Sequence, residues 1–226
     1  MRNFLIINIL AIALYSCTDI NDEHQEYLDK GENIYTEKPD SLIVSPGFQR
    51  AKLQWFLYSD TSIKKARVFW NAGKDSLDVN ISVNPQVKNV IEVIVPNLDE
   101  GVHTFAVLTL DGFDNKSIPV SIGGRVYGSS YQSGLSNRAI TAYTNEGNSI
   151  VFKLANVFFD GYIDSELKYI DKEGLEQVIK LTDEAKTEFK IDDDGIDLNE
   201  PIYYRSIFQP QNSVDLFYSD YAQFDQ

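Results

Sequence analysis

Residues 38–60 read KPDSLIVSPGFQRAKLQWFLYSD, and the phase of their apolar residues decides the fold. Ser45-Pro46-Gly47 separates two runs, as Pro-Gly pairs do at turns. In the second run Ala51, Leu53, Trp55 and Leu57 alternate with Lys52 and Gln54. Successive side chains on a strand point to opposite faces, so the four apolar residues share one face of a half-buried strand. Trp55 then belongs to a core and not to a sugar-stacking platform, because its companions on that face are all aliphatic.

Working outward, the same grammar repeats. KKARVFWNAGKDSLDVNIS has the shape of a hairpin tipped by Asn71-Ala72-Gly73-Lys74, and strands follow at 90–95 and 102–110 with a loop from Asp111 to Lys116. GGRVYGSSYQSGLSN, residues 123–137, is rich in Gly and Ser and lacks alternation, which places a connector there. Beyond it AITAYTNEGNSIVFKLANVFF supplies two strands and SELKYIDKEGLEQVIKL a hairpin turning at Asp171 to Gly174. TEFKI and PIYYRSIFQPQNSVDLFYSDY supply three more strands. No convincing helix interrupts the series. The spacing of Trp55 and Phe152 is close to one sandwich length, so the second half reads as a diverged duplicate of the first. The expectation is an all-β chain of two tandem sandwiches, residues 38–122 and 138–226.

Composition narrows the chemistry. The 34 Asp and Glu outnumber the 20 Lys and Arg, and a net charge of −14 repels nucleic-acid phosphates. One cysteine, Cys17, forbids an internal disulfide and a multi-thiolate zinc site. Cys17 follows MRNFLIINILAIALYS, residues 1–16, in which Arg2 precedes an apolar stretch too short to span a bilayer, the form of a secretory signal. Residues 18–37 carry seven acids, one Lys and no apolar period, so residues 17–37 read as a disordered acidic tether.

Three resemblances follow from these residues. Leu14-Tyr15-Ser16-Cys17 resembles a bacterial lipobox, which implies cleavage before Cys17 and lipidation of its sulfur; the acids behind it look like the signal that exports lipoproteins of Bacteroidota to the outer face of the outer membrane. Residues 38–122 resemble a fibronectin type III module in their Leu-x-Trp strand and in the Leu and Gly ahead of an aromatic strand, although Thr104 stands where that family has its corner tyrosine. VSPG, LQW, GRVYG with Tyr131, Leu135, Asn137 and Arg138, and the ending YYRSIFQPQNSVDLFYSDY resemble the Bacteroidota lipoproteins of domain-of-unknown-function family 4998. Members resembling this chain are thought to take part in surface glycan foraging, and many carry a further module after the DLFYSDY-like end.

No residues nominate catalysis or a cofactor. His103 lies within a strand, and no G-x-S-x-G elbow, P-loop or G-x-G-x-x-G is present. DDDGIDLNE invites a calcium reading through Asp192, Asp194 and Asp197, but an EF-hand register would put Lys190 and Pro201 at ligand positions. Asp111, Asp114 and Asn115 are the residues a turn requires as well as weak calcium candidates. The aromatics are the richer signal. Tyr127, Tyr131, Tyr204, Phe217, Tyr218 and Tyr221 are the candidates for a ligand or protein interface, with one member of Tyr203/Tyr204 and of Phe217/Tyr218 facing out. The connector aromatics and Arg125 have an alternative role, packing the two sandwiches together. Two readings stay open: a non-catalytic, carbohydrate-binding accessory of a glycan-utilisation system, anchored in the outer membrane, or a spacer that docks on another outer-membrane protein.

Overall fold

A computed structural model describes residues 34–146, 149–156, 160–181, 187–192 and 195–224. Cys17 and most of the acidic tether lie outside these residues. Among the described residues no helix is long and apolar enough to cross a membrane.

The first sandwich contains β1 (Asp40–Pro46), β2 (Ala51–Leu57), β3 (Ile63–Trp70), β4 (Asp75–Asn80), β5 (Asn89–Val95), β6 (Gly101–Asp111) and β7 (Val120–Val126). They form two antiparallel sheets, β1-β2-β5 and β4-β3-β6-β7, the three-on-four arrangement of a fibronectin III-like sandwich. Alternation along β2 is strict: Ala51, Leu53, Trp55 and Leu57 are fully buried while Lys52, Gln54 and Phe56 are partly exposed. Phe105 and Val107 of β6 and Val68 of β3 close the same core from the facing sheet. Each such side chain removed from water contributes about 1.5–3 kcal/mol.

The second half repeats this plan with β8 (Ile140–Asn145), β9 (Ser149–Leu154), β10 (Tyr162–Ile170), β11 (Glu176–Lys180), β12 (Glu188–Asp192), β13 (Ile202–Phe208), β14 (Phe217–Tyr218) and β15 (Ala222–Phe224). Sheet β12-β9-β8 corresponds to β5-β2-β1, and β11-β10-β13-β14 to β4-β3-β6-β7. Phe152 on β9 is fully buried at the place Trp55 holds on β2. The strand matching β7 is broken, so that β14 and β15 pair with successive parts of β13.

Three expectations are corrected. Residues 123–126 belong to β7 and not to the connector; Gly123 and Gly124 hide the alternation because they carry no side chain. Gly124 is required there, since a Cβ would come 2.5 Å from Val44 Cγ1 of β1. The connector also holds a short helix, α1 (Ser129–Ser133), where none is expected. The tether ends earlier than residue 37: Thr36 is buried, and the Glu37 carboxylate accepts the backbone N–H groups of Tyr58, Ser59 and Asp60 at 2.7–3.1 Å.

Candidate functional site

The turn after β1 and the segment before β14 meet at one joint. Val214 N–H donates to the Pro46 carbonyl (2.8 Å), and Asp215 accepts from Phe48 N–H (2.9 Å), Arg50 Nε (2.9 Å) and Arg50 Nη2. Gly47 admits this approach, because a Cβ would lie 2.5 Å from Asp215 Oδ2. The Arg50 guanidinium holds the Asp215 carboxyl below its ordinary range.

Tyr127 follows β7 and is tied to the same turn, donating its N–H to the Gly47 carbonyl (3.1 Å) and accepting from Gln49 N–H (2.7 Å). Glu100 then fixes α1 by accepting from Ser130 N–H (2.8 Å) and Tyr131 N–H (2.7 Å). The rings of Tyr127 and Tyr131 thereby sit 4.4 Å apart between centroids, and both meet Phe217 edge-on at 5.4 and 5.1 Å. Burial pushes the Tyr131 hydroxyl pKa up, with smaller contributions from Tyr127 and Asp160.

Beside these rings opens a cleft of about 520 Å³. Val44, Pro46, Gly124 and Arg125 form one side, Asp160, Pro210, Gln211 and Asn212 the other, and Tyr127 and Tyr131 the end between them. The second wall is set by the turn at 210–213, in which Ser213 N–H donates to the Pro210 carbonyl and Gln209 N–H to that of Gly161. Arg125, Asp160, Gln211 and Asn212 make no side-chain hydrogen bond or ion pair among the described residues. That is unusual for arginines in this chain. Arg50, Arg67 and Arg205 are paired with Asp215, Asp78 and Glu166, and Arg138 is buried and bonded to the Ala155 carbonyl (2.7 Å). Such a cleft presents two aromatic rings and four hydrogen-bonding groups, Arg125 from β7 and the others from the turns at 160 and 210–213.

The structure divides the residues nominated by the sequence. Tyr127 and Tyr131 line the cleft. Phe217 is corrected to a joint residue: it is fully buried beneath both tyrosines and offers no face to a ligand. Tyr204 is also corrected, because it packs against the second core while Tyr203 faces out. Tyr218 and Tyr221 lie elsewhere, on the outer face of the second sandwich, and their rings are taken. Arg205 sits 4.3 Å from the Tyr218 ring and 4.5 Å from that of Tyr221, which also carries Lys168 Nζ at 4.7 Å. The Tyr221 hydroxyl donates to buried Glu166 at 2.5 Å, and burial followed by that bond pushes its pKa up to about 12.

The remaining nominees have internal duties. Trp55 is in the core, and His103 Nε2 lies 2.7 Å from the Asp99 carbonyl. Asp111 accepts from Phe113 N–H, Asn115 N–H and Asn115 Nδ2; Asp114 pairs with Lys65. Asp197 caps its turn through Asn199, whereas Asp194 and the Asp192 side chain lie outside the described residues. Sequence reasoning missed Asp160, Gln211 and Asn212, and assigned Arg125 to packing that Tyr127 and Tyr131 perform without it. The Pro-Gln-Asn run after β13 is a turn signal that marked a loop but not its position beside β7.

A family model for a domain of unknown function, DUF4998, matches residues 17–217. The chain belongs to that family. In this DUF4998 member VSPG, GRVYG and the stretch around Asp215 and Phe217 converge on the joint. No curated protein matches the chain significantly. Among solved structures it is similar to the FN1–FN3 domains of chicken CNTN1, with 10% identity and a TM-score of 0.41 over 85% of this chain and 68% of that one.

Proposed function

We propose that this DUF4998 chain is a non-catalytic, lipid-anchored protein of the outer-membrane surface that holds polysaccharide in the cleft between its sandwiches. The cleft carries the reading: Tyr127 and Tyr131, their rings in tilted contact, beside uncommitted Arg125, Asp160, Gln211 and Asn212. Pyranose rings offer apolar C–H faces to aromatic rings and hydroxyls that both donate and accept. Asp160 accepts from one hydroxyl, Arg125 donates to another, and the two amides do either. A guanidinium and a carboxylate that line one cleft without pairing suit a neutral sugar better than a charged one. The sequence LeuTyrSerCys at 14–17 supports the anchor, and the acids behind it support the outward-facing leaflet.

The test is isothermal titration against a panel of neutral polysaccharides, with Arg125→Ala and Asp160→Ala as variants. One glycan should bind to the parent, and each substitution should weaken it about tenfold, the loss of one hydrogen bond to a charged group, at unchanged melting temperature. Binding that survives both substitutions, or no binding across the panel, overturns the assignment. The pinned contact at Asp215 favours a second reading, a rigid spacer docked on an outer-membrane protein. Crosslinking on intact cells that recovers one stoichiometric partner, without glycan binding, would select it.

A further inference from the structure

A second, smaller pocket of about 140 Å³ opens at one end of the first core. Trp70 ends β3 and His103 lies near the start of β6, and each continues the strand face that buries Val68 or Phe105 two residues away. Trp70 packs against that core yet remains half-buried. Buried Leu98 and the side chains of Asn71, Asp75, Asn97 and Asp99 complete the lining.

The polar groups of this pocket are largely unspent. Trp70 Nε1 and the side chains of Asn97 and Asp99 make no hydrogen bond or ion pair among the described residues, and Asp75 accepts only from Asn71 Nδ2 (3.1 Å). His103 Nε2 donates to the Asp99 carbonyl (2.7 Å), which leaves Nδ1 of the neutral ring as an acceptor. No Lys or Arg lines the pocket, so its two carboxylates repel an anionic ligand. Among the described residues no three of His, Cys, Asp or Glu are grouped to hold a metal ion. The lining suits a neutral molecule with an apolar face for the indole and hydroxyls for the acceptors.

We propose that this pocket is a second sugar subsite, which takes one pyranose residue of a neutral polysaccharide with a C–H face on Trp70 and hydroxyls donating to Asp75 and Asp99. The choice of ligand class rests on the reading of the cleft; the site itself stands on different residues. Two connections place it at the joint end of the first sandwich. His103 pairs across β6 and β7 with Gly124 of the cleft, and Asp99 precedes Glu100, which fixes Tyr131.

The experiment adds soluble starch, dextran, xylan and galactomannan to the full chain and follows tryptophan emission with excitation beyond the tyrosine band. The cleft holds no tryptophan and Trp55 is sealed in the core, so a change in emission reports on Trp70. The glycan that binds by calorimetry should shift the emission. Trp70→Phe, which keeps a ring against the core, should abolish the shift. Asp99→Ala, at an exposed side chain with no bond to lose, should raise the half-shift concentration about tenfold at unchanged melting temperature. With disaccharides cut from that glycan, Arg125→Ala should leave the shift in place. Calorimetric binding without an emission change, a half-shift concentration unmoved by Asp99→Ala, or a disaccharide shift lost with Arg125→Ala overturns this inference and leaves the cleft standing. An Asp99-dependent shift in protein whose calorimetric binding ignores Arg125 and Asp160 upholds the pocket and overturns the cleft. No response in either measurement overturns both.

Discussion

The two sandwiches share a strand plan but fill it differently. Around Trp55 the first packs an apolar core drawn from both of its sheets. The second has a smaller core around Phe152 and buries a polar network next to it. There Arg138 N–H donates to Ser206 Oγ (2.8 Å), Ser206 Oγ lies 3.1 Å from Ser165 Oγ, and Ser165 Oγ lies 3.0 Å from the Tyr162 hydroxyl. Asn137 Oδ1 accepts from Ser206 N–H (2.8 Å) and Ser219 Oγ (2.5 Å). Apolar packing is forgiving in direction, whereas a buried hydrogen-bond network specifies one arrangement and is costly when broken. The polar core therefore belongs where the chain passes from connector to β8 and the position of the second sandwich is set.

The largest effect expected is in the first core. Trp55→Ala should cost about 3–5 kcal/mol, and Phe152→Ala on the matching strand a similar amount, measured by urea unfolding. Trp55→Phe sharpens the comparison. Trp55 Nε1 is buried without a hydrogen-bond partner among the described residues, a burden of about 1–3 kcal/mol, so its removal offsets lost volume and the variant should fall within about 1 kcal/mol of the parent. A loss as large as that of Trp55→Ala would show that the indole is partnered.

Next in size is the polar network. Arg138 is 1% exposed, and its Nε reaches the Ala155 carbonyl. Arg138→Ala takes the guanidinium donors from the Ala155 carbonyl and the Tyr162 hydroxyl and should cost about 3 kcal/mol. The loss should fall on the second sandwich first. Both tryptophans, Trp55 and Trp70, lie in the first, so their emission should unfold later than the far-ultraviolet circular dichroism signal in this variant. Coincident transitions would mean that the joint couples the two sandwiches into one cooperative unit.

This contrast also explains what was legible in the sequence. Alternation made β2 plain, and Gly73 and Gly174 marked both hairpin tips. The end of β7 was not legible because close approach to Val44 demands glycine, which erases the pattern by which a strand is read. The faces of β13 were ambiguous because Tyr203 and Tyr204 are alike in chemistry. Arg205 carried the missing phase: a charged residue points outward, Tyr203 shares its face, and Tyr204 is left to the core. The cleft was least legible, since its walls come from residues remote in sequence, brought together by contacts such as Gly47 with Asp215.

The smallest expected effect is set by pH, and it separates the sandwiches by sign. In the first, the Arg67 hydrogen bond holds Asp78 below its ordinary range, and bonds from Asn115 do the same for Asp111. A depressed carboxylate contributes stability that is complete above its unfolded pKa of 3.8 and is lost as pH falls through the lower folded value. In the second, burial raises Asp164, which offsets part of the similar acid loss from Asp171 and Asp197. Alkali acts more on the other half, although the hydrogen bond to Asp40 also raises exposed Tyr58 in the first. Tyr221 is raised from 10.0 to about 12, so its neutral form is favoured by folding; that stability is complete below pH 10 and is lost as pH rises toward 12. Tyr169, raised by burial, moves the same way. Acidification should therefore bring the tryptophan transition forward, whereas between pH 10 and 12 the circular dichroism transition should weaken first. Tyr221→Phe removes the ionisable hydroxyl while Arg205 still pairs with Glu166, so the variant should flatten the alkaline decline relative to the parent. An unchanged alkaline slope would show that the Glu166 bond to Tyr221 does not order that face of the sheet.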